Sequence, residues 1–315
     1  MRVEILPGRL CVDIMDHLAV FGEQGYTFLS YLSDGLHALG QREVALTFLA
    51  SAAVEEQLEA PLPLLETLYA YALEGLCVDV GDTTELSQGD LMGRPGLRGA
   101  LYVDPQPLPG LPLPHSRMTM LLLSEDELRI ARHFGAGRVL ARMGHNAGHF
   151  PFPGWNDLDR APAFHAESEL ETVLAACPRL IVRRAHIALE HNRRLILDLP
   201  RHAQREIAEA AERWHPEDET MALIGMPHPG ADAWLVWAPG QEAPQATCAK
   251  EPCERFGGGF ALFSLEQAPR LEVLEDGFCC AAPLESIAAV RDALLGDADA
   301  EVSLDPSCSV CIQWI

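Results

Sequence analysis

Four cysteines, two histidines and three acidic clusters are the residues of this 315-residue chain whose types and spacing could do chemistry. Cys248-x4-Cys253 together with Cys308-x2-Cys311 could close a tetrahedral four-thiolate zinc site, a structural centre with no open position. The same thiols have a plainer reading: Cys311 falls within a strand and fills core, and the first pair is loosely spaced. Cys279 and Cys280 are adjacent on a strand, point to opposite faces, and are poorly placed to hold one ion. No cofactor other than zinc is expected.

His145-Asn-Ala-Gly-His149 sets two imidazoles four residues apart, the spacing of a helical zinc pair and the seed of a metal-assisted hydrolase. Gly144, Gly148, Pro151 and Pro153 argue against a helix there, no H-E-x-x-H glutamate is present, and a turn anchored by Phe150, Phe152 and Trp155 is the stronger expectation. No G-x-S-x-G elbow occurs, and His186 reads as a sheet residue. Gly257-Gly258-Gly259 precedes a strand and so reads as a bulge or turn. Arg183-Arg184 and Arg193-Arg194 flank a hairpin turn, where they could bind an anion or pair with surplus acids.

Charge says more than any motif. The net charge is −23, and it is uneven. Residues 1–116 hold 5 bases and 16 acids, residues 117–205 hold 13 and 10, and residues 206–315 hold 5 and 20. Such a field repels phosphates, which argues against nucleic acid, and favours a basic protein partner. The acidic clusters that could meet it are Glu55-Glu56 with Glu59, Glu217-Asp218-Glu219, and Asp297 with Asp299 and Glu301; each reads equally as solvated surface. Lys250 is the one lysine among 23 bases, a usage that points to a GC-rich bacterial genome. No apolar run is long enough to span a membrane, and the N-terminal acids are unlike a signal peptide, so a cytoplasmic protein with free thiols is expected.

The elements that would position these residues follow from periodicity. Turns at 33–35 and 39–41 lead into an apolar strand over 44–49; helices are expected over 64–76, 167–176, 200–214 and 283–295. Ser124 and Glu127 form a capping box for a further short helix. Strands are expected over 96–103, 118–123, 221–226, 233–238, 260–265, 278–282 and 309–315, with a hairpin over 180–189 and 194–199 turning at Glu190-His191-Asn192. The Pro- and Asp-rich stretch 151–166 suggests a boundary. The fold class is α+β, in two mixed sheet-and-helix domains, 1–160 and 161–315. The second is read as a ββαβ unit used twice.

The segments GLHALGQREVALTF, LILDLPRHAQREIAEAAERW with MALIGM and AWLVWAPG, and GFALFSL with LEDGFCCAAPLESIAAVRDALL and CIQWI occur in that order. Together they resemble the C-terminal domain of the endosomal SMAD-anchor and endofin proteins, and the opening is similar to bacterial suppressor-of-fused-like proteins, often immunity proteins of toxin systems. The lipid-binding zinc finger and the SMAD-binding segment are missing, so the resemblance implies neither lipid nor SMAD binding, and it brings no catalytic residues. The chain is therefore expected to be a non-enzymatic protein-binding module. The expected form is a bacterial immunity-type protein that neutralises a cationic toxin by electrostatic and shape complementarity. An adaptor binding peptides at a sheet edge and a hydrolase built on His145 and His149 are the competing readings.

Overall fold

The computed structural model describes residues 1–21, 24–51, 54, 58–86, 94, 96–108, 111, 113–114, 116–164, 174, 177–237, 241–248 and 252–315. Glu55, Glu56 and, apart from Leu174, the expected helix over 167–176 lie outside them. The protein is α+β, with two mixed sheets and, among the described residues, five α-helices. Its two compact units comprise residues 1–129 with 153–162, and 130–152 with 163–315.

The first unit is built on β1 (Arg2–Leu6), β2 (Leu10–Phe21), β3 (Gln24–Asp34), β4 (Glu43–Leu49), α1 (Leu62–Leu73), β5 (Thr83–Glu85), β6 (Leu97–Val103) and β7 (Arg117–Ser124). The strands lie in the order β1-β2-β3-β4-β7-β6-β5. Leu65, Leu68 and Tyr69 of α1 pack on a core of Val12, Tyr31, Leu46, Phe48, Tyr102 and Met120, the inward face of the alternating strands. After β7 the capping box forms as expected: the Ser124 amide donates to Glu127 Oε2 at 2.8 Å, and the Glu127 amide donates to Ser124 Oγ at 3.3 Å. It starts α2 (Glu125–Phe134).

The second unit contains α3 (Ala136–Ala147), β8 (Arg179–Glu190), β9 (Arg194–Leu199), α4 (Gln204–Arg213), β10 (Met221–Pro227), β11 (Ala233–Val236), β12 (Gln245–Cys248), β13 (Arg255–Gly257), β14 (Phe260–Leu265), β15 (Arg270–Leu274), β16 (Gly277–Ala282), α5 (Leu284–Leu295), β17 (Ala300–Ser303) and β18 (Ser309–Trp314). Eight strands run β15-β16-β14-β10-β8-β9-β18-β17, and β13, β11 and β12 continue from the far end of β8. β10 is buried throughout, as a strand covered on both faces must be. On one face Ile207 and Ala211 of α4 and Ile287, Val290 and Leu294 of α5 join Leu223 and Phe263 in the core. On the other, α3 approaches so closely that a Cβ on Gly137 would meet the Gly225 carbonyl at 2.8 Å.

Two expectations change here. The second ββαβ copy carries two additional short strands, β15 and β17, each at an edge of the sheet. And the stretch around His145 is helical: α3 runs to Ala147 with Gly144 inside it and Gly148 in the left-handed conformation as its stop. Gly144 is there for space, since a Cβ would sit 2.1 Å from the Pro151 carbonyl oxygen of the chain folding back over the helix.

Candidate protein-interaction edge

β2 and β3 form a hairpin longer than the strands beside it. They pair from Cys11↔Asp34 to Phe21↔Gln24, but β1 covers the outer side of β2 only as far as Asp13. Met1 adds one more pair, its amino group donating to the Ile14 carbonyl at 2.6 Å and its carbonyl accepting from the Ile14 amide at 2.7 Å. Antiparallel alternation then turns the backbone N–H and C=O groups of Asp16, Leu18 and Val20 outward, and among the described residues no strand pairs with them. Their side chains share a solvent face, with Leu18 64% and Val20 57% exposed. The opposite face is anchored by aromatic contacts: His17 stacks on Phe28 at 5.4 Å, and Phe28 meets Trp155 edge-on at 5.2 Å. Burial lowers the His17 pKa, and neither ring nitrogen has a hydrogen-bond partner.

The base of the same hairpin explains the turn-rich segment before β4. Glu43 Oε1 accepts from the Gly35 amide at 2.9 Å, the His37 amide at 3.0 Å and His37 Nδ1 at 2.7 Å, while Oε2 accepts from Ser33 Oγ at 2.5 Å. Asp34 is held by Arg2 at 2.5 Å. Asp34, His37 and Glu43 are the one trio of metal-ligand dimensions among the described residues, yet the carboxylate oxygens of Glu43 are already taken up by the turn. Burial alone would raise the Glu43 pKa, but the hydrogen bonds from Ser33, His37 and Gly35 outweigh it and leave the pKa below its ordinary value. The stability this supplies is present above the unfolded-state pKa and is lost as pH falls through the lower folded one. Glu43→Gln is expected to cost about 2 kcal/mol at neutral pH. Urea melts repeated at falling pH should show its gap to the parent protein closing.

The residues singled out in the sequence lie on several different elements. Cys248 ends β12 and Cys253 precedes β13, with their sulfurs 3.4 Å apart. Cys311 is buried on β18 and Cys308 is half-buried just before it. No three of these four thiols come within 4.8 Å of one another. His145 Nδ1 lies 3.3 Å from Thr247 Oγ1, and burial lowers the pKa of His149. No third His, Cys, Asp or Glu joins these two imidazoles within ligating distance among the described residues. Glu59 and Glu217-Asp218-Glu219 are exposed. Asp299, just before β17, and Glu301 of β17 both reach β18, accepting from the Trp314 amide at 2.8 Å and Ser309 Oγ at 3.0 Å. Arg194 meets Glu190 and Glu301 at 3.8 and 3.5 Å, the pairing with surplus acids that the sequence suggested.

One pair escaped sequence reasoning, being 30 residues apart: His228 Nε2 and Asp198 Oδ2 are 2.9 Å apart. The Gly230 amide donates to His228 Nδ1 at 2.9 Å, so in the neutral ring Nε2 carries the proton and donates to Asp198. Both nitrogens are committed, which makes this a latch on the loop after β10. A cavity of about 150 Å³ in the first unit is lined by Arg94, Leu97, Glu127, Asn156 and Arg160. Its charges are also spent internally, Arg160 on Glu127 and Arg94 on Asp159. No described helix is long and apolar enough to cross a membrane, which says nothing about membrane β-barrels.

No family model matches the chain, and no curated protein matches it. Among solved structures, Drosophila Suppressor of Fused is similar at 10% identity and a TM-score of 0.40, over 97% of this chain and 88% of that one. A Sufu–Fu complex structure is similar at 15% identity and a TM-score of 0.42, over 52% of this chain and 84% of that one.

Proposed function

We propose that this chain is a cytoplasmic, non-enzymatic protein-binding module that takes an extended segment of a basic protein partner along the open edge of β2. The observation that carries this is the edge from Met15 to Phe21, which no described strand covers, with Leu18 and Val20 turned to solvent. Folded proteins ordinarily blunt such edges, because unpaired backbone groups invite another strand. An added strand would gain main-chain hydrogen bonds from the edge and selectivity from side chains packing on Leu18 and Val20. Asp16, exposed between Ile14 and Leu18, favours Lys or Arg opposite it and disfavours a second copy of the same acidic edge. The overall charge of −23 would steer a cation toward the molecule. The exposed acids Glu59 and Glu217-Asp218-Glu219 contribute to that field, whereas Asp299 and Glu301 are partly committed to β18.

An immunity-type protein neutralising a cationic toxin is one form of this activity, and an adaptor holding a peptide at a sheet edge is another. The edge geometry serves both.

The test is selection of a random-peptide display library on the full chain, followed by titration of the enriched peptides. Enrichment of alternating apolar and basic sequences is expected, with Leu18→Lys/Val20→Lys weakening their binding at least about tenfold, roughly 1.4 kcal/mol. Affinity should also fall as salt rises. Enriched peptides indifferent to both the substitution and salt would remove the edge as the binding site.

A further inference from the structure

The dithiol at the edge of the second sheet is preassembled. Cys248 closes β12 and pairs across to Ala233 of β11. Cys253 leads into β13, which runs parallel to the same start of β11, Phe256 opposite Ala233. The backbone beyond Cys253 is pinned, since the Glu254 and Arg255 amides both donate to Asp232 Oδ2 at 3.0 Å and the Asp232 amide donates to the Arg255 carbonyl at 2.8 Å. Arg255 is in turn held by Glu190 of β8. Two strands that flank β11 therefore deliver two sulfurs to a separation of 3.4 Å, one exposed and one half-buried, with no main-chain rearrangement needed to bring them into contact.

We propose that Cys248 and Cys253 are a reversible redox site that forms an intramolecular disulfide by exchange with a low-molecular-weight disulfide such as oxidised glutathione. The Cys248 thiolate, the more accessible, attacks one sulfur of the oxidant and expels the first glutathione thiolate. The Cys253 thiolate then attacks the Cys248 sulfur of the mixed disulfide, forming the protein S–S bond and expelling the second. Two protein thiols are oxidised, one small disulfide is reduced to two thiols, and the two protons released by the cysteines end on the two glutathiones. The product staples β12, an edge strand of its sheet, to the entry of β13 across the start of β11.

The full chain equilibrated in glutathione buffers of rising oxidised fraction, then trapped by alkylation and mapped by mass spectrometry, tests this. Cys248 and Cys253 should lose their alkylation together, in one cross-linked peptide two hydrogens lighter. They should do so at an oxidised-to-reduced ratio at least about tenfold below that which glutathionylates the exposed Cys77. In Cys253→Ser, Cys248 should instead accumulate as a stable glutathione adduct. Independent oxidation of the two thiols as separate adducts, or Cys253 remaining alkylated while Cys248 is oxidised, would overturn the proposal.

Discussion

Asp276→Asn is expected to cost the second unit about 3 kcal/mol, close to what removing one partner of a buried ion pair typically costs. Arg138, in the first turn of α3, donates from Nε to Asp276 Oδ2 at 2.6 Å, and the two side chains are 1% and 6% exposed. The guanidinium lies 5.7 Å from the Phe134 ring, and its stem lies along Gly259, whose bare Cα leaves it room. The Gly259 amide in turn donates to the Asp276 carbonyl at 2.8 Å, so the pair and the glycine run hold each other in place. An asparagine keeps the shape and removes the negative charge that faces Arg138 Nε, so the buried cation loses the attraction of that carboxylate. The pair itself is a different matter, because desolvating two ions offsets most of their attraction. Arg138→Met with Asp276→Leu is therefore expected to recover most of the loss. Urea melts of the parent, both single variants and the double variant form the cycle that checks this. A neutral Asp276→Asn, or a double variant as unstable as the sum of the singles, would contradict it.

How much of this was legible in the sequence depends on whether the determining contact was local. β4, β7, β8, β9, β14 and α5 follow from alternation and helical periodicity, and the Ser124–Glu127 box from a three-residue spacing. The β2–β3 hairpin did not, for a physical reason. Along β2 the even-numbered side chains are buried from Leu10 to Ile14 and exposed from Asp16 to Val20, while His17 and Ala19 turn inward. The buried face changes partway along the strand, so no single alternation marks it. That same change creates the exposed Leu18 and Val20, making the candidate site and the illegible element one feature. Glu43 has no chemical partner at short helical or strand spacing. Its partners are Ser33, Gly35 and His37, across the turn. The cysteines show the limit most plainly: β12 and β18 are separated in the sheet by β11, β13, β8 and β9, a matter of strand order that thiol spacing does not encode.

Asn156→Ala is expected to destabilise the first unit by about 3 kcal/mol, because it removes the partner of two buried backbone groups of β7, the Leu122 amide and the Met120 carbonyl. β4 and β7 pair in parallel only from Glu43↔Arg117 to Ala45↔Thr119 and then part. Asn156, 5% exposed, fills the gap as a strand of one residue. Its backbone pairs with β4, donating to the Thr47 carbonyl at 2.8 Å and accepting from the Leu49 amide at 2.9 Å. Its side chain bridges to β7, Oδ1 accepting from the Leu122 amide at 2.6 Å and Nδ2 donating at 3.1 Å to the Met120 carbonyl, while Nδ2 also donates at 3.1 Å to the Thr47 carbonyl of β4. The returning segment 153–162 is clamped again by Arg160, whose Nη1 and Nη2 reach the fully buried Glu127 at 2.5 and 2.8 Å. The amide is required at position 156, since one atom must accept and the other must donate. Asn156→Asp keeps the volume but points an anionic oxygen at two carbonyls, which raises the folded-state pKa of that carboxyl above its unfolded value. A raised carboxyl pKa gives stability that is complete below the unfolded pKa and lost as pH rises through the folded one. The aspartate variant should therefore fall furthest behind the parent at neutral pH and approach it as acid restores a donor, whereas the alanine variant should lag by a nearly constant amount. Urea melts of the three proteins across that pH range separate the two patterns. An aspartate variant whose deficit did not change with pH would refute the strand-bridging role assigned to the amide.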